Sequence, residues 1–289
     1  IIHNAVCLLN HWTRALRLDV TDLYYTDIIY SSENAAREQG VNFQIFSRVV
    51  NTQEDALEMM KNLAVDGLLI DAYYQNYFDD LSFFRKITPN LVLVDGNPEE
   101  TDLPVVAPDA EKGYRMILED VVRRDRPVAF LYHEQTAQAR WQRDCFLRAA
   151  SGLGIQADLL DYGRNVSFDT FAGLRNCRTD HYPLIFRALE GWLKPNHIGG
   201  AIICGRDYEA VKTLAVLQKC NYRVPGDFAV TGFGDFLFST MTDPALTTIK
   251  IDARELGTAS VGMLFQIING TSNQRKVLLE PGYLKREST

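Results

Sequence analysis

Nine short, mostly apolar runs punctuate this chain. They are Ala5–Asn10, Phe43–Ser47, Gly67–Asp71, Leu91–Asp95, Val128–Tyr132, Ala157–Asp161, Ala201–Cys204, Phe228–Thr231 and Thr247–Ile251. Between them lie helical patterns at about 22–39, 53–65, 77–87, 110–124, 136–151, 182–193, 207–220 and 253–269. Strands without a polar face, alternating with helices, must pair in parallel and be covered on both sides. The expected class is therefore α/β, doubly wound. About nine strands exceed one comfortable sheet, so the spacing predicts two lobes. The break falls at Arg123-Arg124-Asp125-Arg126-Pro127, a charged link closed by proline. Residues 164–200 fit the pattern least, and "LRNCRTDHYPLIF" reads as an added loop before a helix.

The helix boundaries carry their own chemistry. Thr52 is placed to cap the second helix, with Asp55 three residues on and Leu57, Met60 and Leu63 as its apolar stripe. Asp252 and Glu255 have the spacing of a capping box, Leu256, Ala259, Met263 and Ile267 recur at helical intervals, and Gly270 ends the helix. Asp207 is placed to cap the helix that Asn221 and Pro225 close.

Composition excludes several classes. The 289 residues are 46% hydrophobic, carry a net charge of −7, and contain no basic run longer than a doublet. That is not the electrostatic footprint of a chain that itself grips nucleic acid. No apolar run approaches the roughly 18 residues of a membrane span. Five scattered cysteines without a C-x-x-C pair argue against a disulfide framework or zinc site and point to a reducing compartment, the cytoplasm. The chain opens on Ile1-Ile2, from which we expect a preceding segment, either a signal peptide or another domain.

Open α/β sheets receive ligands beyond the carboxyl ends of their strands. That rule selects Asn10, His11 and Trp12 after the first strand and Tyr24-Tyr25 at the start of the first helix. It selects Asp71, Tyr73 and Tyr74 after the third, and His133 and Glu134, then Arg140 and Gln142, beyond the 128–132 strand. Gly205-Arg206-Asp207 and Gly234-Asp235-Phe236 follow two later strands. Aromatic faces and hydrogen-bonding groups together suit a small molecule that is stacked and oriented at once.

Catalytic signatures are missing: no H-E-x-x-H, G-x-S-x-G, Walker A loop or G-x-G-x-x-G is present. Gly152-Leu153-Gly154 follows a helix, so it reads as a stop and not as a phosphate cradle. We therefore expect no enzyme, no catalytic residue, no metal site and no cofactor.

The segments "VPGDFAVTGFGD" (224–235) and "DPALTTIKIDARELG" (243–257) resemble the C-terminal signature of the lactose/galactose-repressor family of bacterial transcription regulators. "AAREQGVNF", "VDGLLI", "LVLVDG", "VAPDAEKGYRMILEDVV" and "LKREST" extend the likeness along essentially the whole chain. The resemblance implies a periplasmic-binding-protein-like (type I) fold, two doubly wound parallel-sheet lobes joined by three crossovers. The last crossover would be the Thr247–Asp252 strand returning to the first lobe. The expected lobes are 1–124 with 248–272, and 125–247 with 273–289. The resemblance further implies a homodimer and a helix-turn-helix headpiece upstream of residue 1, through which, and not through this chain, operator DNA is bound. A small-molecule effector in the inter-lobe cleft would change how paired headpieces meet their half-sites. Alternatives are a periplasmic solute-binding protein of a transport system, and an enzyme on the same fold.

By the same resemblance Tyr24-Tyr25 occupy a ligand-stacking position, Asp109 an acid near the ligand, and Phe168 a stacking aromatic of the second lobe. Several positions depart from the pattern. An expected arginine is Gln142, with Arg140 nearby; a neutral or acidic pair is Arg206-Asp207; and the first acid of G-F-D-D is Gly234. These changes make the site more positive than that of a sugar-binding relative. They suggest either that Asp235 or Asp109 pairs with Arg206, or that the effector supplies a phosphate or carboxylate. The missing side chain at Gly234 reads as room for a larger or charged effector.

Overall fold

A computed structural model describes residues 6–9, 22–46, 52–61, 64–122, 126–164, 166 and 181–289. The chain divides into two compact units, 1–108 with 252–279, and 109–251 with 280–289.

In the first unit six strands lie side by side in the order β11-β5-β4-β3-β1-β2. They are β1 (Val6–Leu9), β2 (Phe43–Phe46), β3 (Gly67–Asp71), β4 (Leu91–Val94), β5 (Val105–Pro108) and β11 (Lys276–Leu279). Every pairing is parallel. Strands β3, β4 and β5 are buried at every residue, as their unbroken apolar runs require. Leu68, Ile70, Leu91 and Leu93 form the core with Tyr74 and Phe84. Helix α1 (Asp22–Glu38), α2 (Gln53–Met60) and α7 (Ala253–Ile268) belong to this unit.

The second unit repeats the plan with β6 (Val128–Tyr132), β7 (Asp158–Asp161), β8 (Gly200–Cys204), β9 (Phe228–Gly234), β10 (Thr247–Lys250) and β12 (Gly282–Leu284). Their order is β12-β10-β9-β8-β6-β7. All pairings are parallel except β10–β12, where the chain's last strand runs antiparallel along the edge. Helix α3 (Ala110–Val121), α4 (Ala137–Gly152), α5 (Tyr182–Glu190) and α6 (Asp207–Lys219) belong here. Trp192, Phe228, Ile202 and Leu217 lie in its core.

Most expected elements form where the pattern placed them. The Thr52 hydroxyl accepts from Asp55 N, and Asp252 accepts from Arg254 N and Glu255 N. Three features differ. Within the expected helix at 77–87 only the short 3-10 turn Ser82–Lys86 forms, preceded by another at Ala72–Asn76, and Asp80 accepts from both the Ser82 amide and hydroxyl, a local bond that competes with a continuous helix. The α6 cap is Arg206, while Asp207 is the first helical residue with its side chain turned inward. Strand β10 aligns Thr247–Lys250 with Thr231–Gly234, which keeps it in the second unit. The chain accordingly passes between units after Pro108, Ile251 and Leu279, where the sequence pattern placed breaks at 124, 247 and 272. The short edge strands β11 and β12 and the proline-ended β5 escaped the apolar pattern. Most of the expected added loop lies outside the described residues.

Candidate functional site

In each sheet the chain starts centrally, goes first to one side and then to the other. The direction switches between β1 and β3 in the first sheet and between β6 and β8 in the second. Beyond the carboxyl ends of such a pair no helix connection fills the crevice, which is why ligands settle there.

At the first switch point Asp71 ends β3 and accepts from Tyr73 N at 2.8 Å, starting the 3-10 turn that carries the tyrosines. Tyr73 and Tyr77 lie 5.3 Å apart, and the Tyr77 hydroxyl donates toward that of Tyr73 at 3.4 Å. Tyr74 goes the other way and is fully buried in the core. Tyr24 and Tyr25 meet edge to face at 5.3 Å, with Tyr24 buried and Tyr25 half-buried. Gln75 exchanges two hydrogen bonds with the backbone of Asn97, tying the β3 and β4 ends together. Trp12 lies outside the described residues, as does Phe168 of the second unit.

At the second switch point His133 follows β6 and Arg206 follows β8. His133 is buried and accepts from Gln135 N through Nδ1 at 3.2 Å. Tyr162 lies edge-on to it at 5.4 Å and donates to the buried Glu209 carboxylate at 2.8 Å. Arg206 donates from Nη2 to Gln138 Oε1 at 3.1 Å. Arg140 donates to the Glu134 carbonyl at 2.9 Å, while Arg143 pairs with the Glu134 carboxylate. Gln142 extends toward the end of β8, its Oε1 3.7 Å from where a Cβ on Gly205 would lie. Asp109 caps α3 by accepting from Lys112 N. Thus His133, Arg206 and Asp235 stand at the ends of neighbouring strands, with Arg140 and Gln142 on the helix after β6.

The β9 end is organised by two carboxylates. Asp235, at φ 54°, pairs with Arg286 at 2.6 Å and accepts from the Ser239 hydroxyl. Asp207 is fully buried; it accepts from the Thr248 hydroxyl and, at 2.8 Å, from Phe236 N. Burial pushes its carboxyl up to about 7, against the opposing effect of those two hydrogen bonds. Gly232 permits this placement, since a Cβ there would come within 3.0 Å of Asp207 Cα and closer to its carboxylate.

Gly234 is not empty space. At φ 133° a Cβ would sit 2.7 Å from Phe236 Cε2, because the Phe236 ring folds back over the strand end. The expected room is filled from within the loop. Gln138, Tyr162 and Glu209 are members of this pole that sequence reasoning missed, whereas Phe236 was among the strand-end residues it selected, beside Gly234-Asp235.

Residues 122–289 match the sequence profile described as "Periplasmic binding protein-like domain". The chain belongs to that family. Within it, the similar curated proteins are transcription regulators, as the lactose/galactose-repressor likeness implied. The NTD biosynthesis operon regulator NtdR of Bacillus subtilis is 26% identical over 242 residues, covering 82% of this chain and 69% of its own. The HTH-type transcriptional repressor PurR of Pasteurella multocida is 24% identical, covering 92% and 77%. The arabinose metabolism transcriptional repressor of Geobacillus stearothermophilus is 23% identical, covering 93% and 74%. The fold is shared with a lac repressor dimer bound to operator and an anti-inducer, at TM-score 0.75, 20% identity and coverage of 100% and 94%. A ribose operon repressor from Lactobacillus acidophilus gives 0.73 at 17% identity, covering 99% and 98%. These relatives favour the regulator reading over a transport protein. Among the described residues no helix is long and apolar enough to cross a membrane.

Proposed function

We propose that this chain is the effector-binding and dimerisation part of a bacterial transcription regulator. It receives a small molecule at the carboxyl ends of its strands and passes the response to a DNA-binding segment outside this sequence. The observation that carries the proposal is the agreement of kind among relatives: three repressors or operon regulators align over 69–77% of their own length. The strand-end residues give that role a physical basis. Tyr25 and Tyr73 in one unit, and His133, Arg140, Gln142 and Arg206 in the other, combine aromatic faces with hydrogen-bonding groups at topological switch points. A ligand acts on such a regulator only through unequal affinity for its two states, so binding must alter DNA affinity by a measurable factor. The test is fluorescence anisotropy of the full natural protein on DNA from the region preceding its own gene. Saturable binding that a small-molecule extract shifts about fivefold or more supports the proposal. Absence of DNA binding with and without extract sinks it.

A further inference from the structure

The first unit has a concavity at the other end of its strands, away from the switch-point residues. Residues 95–104 join β4 to β5 without a helix, and a surface cavity of about 590 Å³ lies beside that connection. Leu103 and Val105, both buried, line it together with Arg85, Asp102, Arg275 and Lys276. Val105 and Lys276 are paired at the first residues of β5 and β11, so the cavity lies at the strand starts. Three cations around one acid run against the net charge of −7 on the whole chain. Glu99 and Glu100 belong to the same connection but do not line the cavity. Two of the cations keep binding capacity. Arg275 donates through Nη1 to the Asp102 carbonyl at 2.7 Å, which anchors the guanidinium and leaves its other nitrogens without a partner among the described residues. Arg85 is exposed and makes no hydrogen bond or ion pair among them. Asp80 senses the Arg85 charge, but its oxygens are given to the Ser82 hydroxyl and amide.

We propose that this cavity binds a small molecule bearing a phosphate monoester, at a site separate from the strand carboxyl ends. Guanidinium groups present planar forks that match phosphate oxygens two at a time, and Arg85 and Arg275 take that part of the ligand. Lys276 adds positive potential, and the organic part packs on Leu103 and Val105. The volume lies within the range of small-molecule sites. A small phosphate is favoured over DNA or an acidic protein by charge. The chain's −7 repels an extended polyanion, whereas a single phosphate, screened beyond about 8 Å, feels mainly the cations beside it. The inference does not depend on the effector-sensing reading.

The test is a phosphorus NMR titration of the full natural protein, with R85E, R85K and D102N beside it, using phenyl phosphate and inorganic phosphate as probes. Phenyl phosphate is expected to bind the wild type more tightly than inorganic phosphate does. Its affinity falls about tenfold in R85E and stays within about threefold in R85K, which keeps the charge. D102N removes the cavity's acid but keeps the main-chain carbonyl that holds Arg275, so it tightens binding about threefold. A gain of affinity cannot come from misfolding. Three results overturn the inference: no binding of phenyl phosphate at millimolar concentration, equal affinity for wild type and R85E, or inorganic phosphate binding as tightly as phenyl phosphate, which leaves an adventitious ion only. Loss of DNA affinity in R85E with phenyl phosphate binding unmoved also overturns it and assigns the cations to DNA. None of these outcomes touches effector sensing at the strand carboxyl ends.

Discussion

A single carboxyl, that of Asp207, joins three parts of the second unit: the start of α6, the middle of β10 at Thr248 and the loop after β9 at Phe236. Its proton affinity is raised to about 7 by burial, so the folded chain holds that proton more tightly than the unfolded chain does. Stability from this group is therefore present at low pH and falls as pH rises between about 4 and 7. We expect D207N to flatten that decline relative to wild type, with the difference in unfolding free energy changing by at most about 1.4 kcal/mol per pH unit. Urea titrations from pH 4.5 to 8 check it; parallel pH profiles for the two proteins would show that Asp207 does not titrate in this range. Gly234 gives a second test at this scale. Its positive φ and the Phe236 ring both oppose a side chain, so G234A should destabilise by about 1–3 kcal/mol. Adding F236A should recover only the part due to the ring, which a double-mutant cycle isolates.

Among elements, the crossing of α1 and α7 depends on Gly257. A Cβ there would lie 2.9 Å from Ser32 Oγ and closer still to Ser31 Oγ and the Ile28 carbonyl oxygen. The Glu255-Leu256-Gly257 motif thus has a steric cause: Leu256 is fully buried, and Gly257 lets the neighbouring helix approach. We expect G257V to cost about 1–3 kcal/mol by overpacking, read as a lower urea midpoint with unchanged far-ultraviolet dichroism. A neutral effect would mean that the helices separate without loss. The buried face of α7 is also wider than its stripe suggested. Leu256 and Met263 are buried as expected, but Gly257, Ser260, Val261 and Leu264 join them, while Ala259 and Ile267 are half-buried. The closing "LKREST" gains its meaning from position. Lys285 pairs with Asp120, Arg286 with Asp235, and the Ser288 hydroxyl donates to Val230 O.

For the molecule as a whole, two exposed apolar side chains on the second unit bear on assembly. Leu237 is 56% and Met241 75% exposed, one at the start of the short 3-10 segment after β9 and the other just past its end. Apolar side chains grouped outside a core are suited to burial against a partner, and a regulator reading paired half-sites needs a second copy. We expect the full protein to sediment as a dimer at micromolar concentration and the L237D/M241E variant to shift toward monomer. An unchanged dimer in that variant would place the interface elsewhere.

The apolar runs and helical periods were enough to reveal an α/β chain of two units, since strands that are apolar throughout have no stable place except inside a covered parallel sheet. The 224–257 signature also marked the family. Sequence periodicity could not assign β5 and β10 to their sheets, because pairing is decided by hydrogen bonds between strands distant along the chain. Nor could it tell which of the candidate acids face inward. Asp207 and Asp235 are alike on paper, yet one is buried against Thr248 and the other is clasped by Arg286, fifty-one residues away. The fate of Gly234 belongs to the same class. Its missing side chain was legible, but only the folded loop puts the Phe236 ring in that place, because the ring's position depends on the Asp207 carboxylate arriving from another helix.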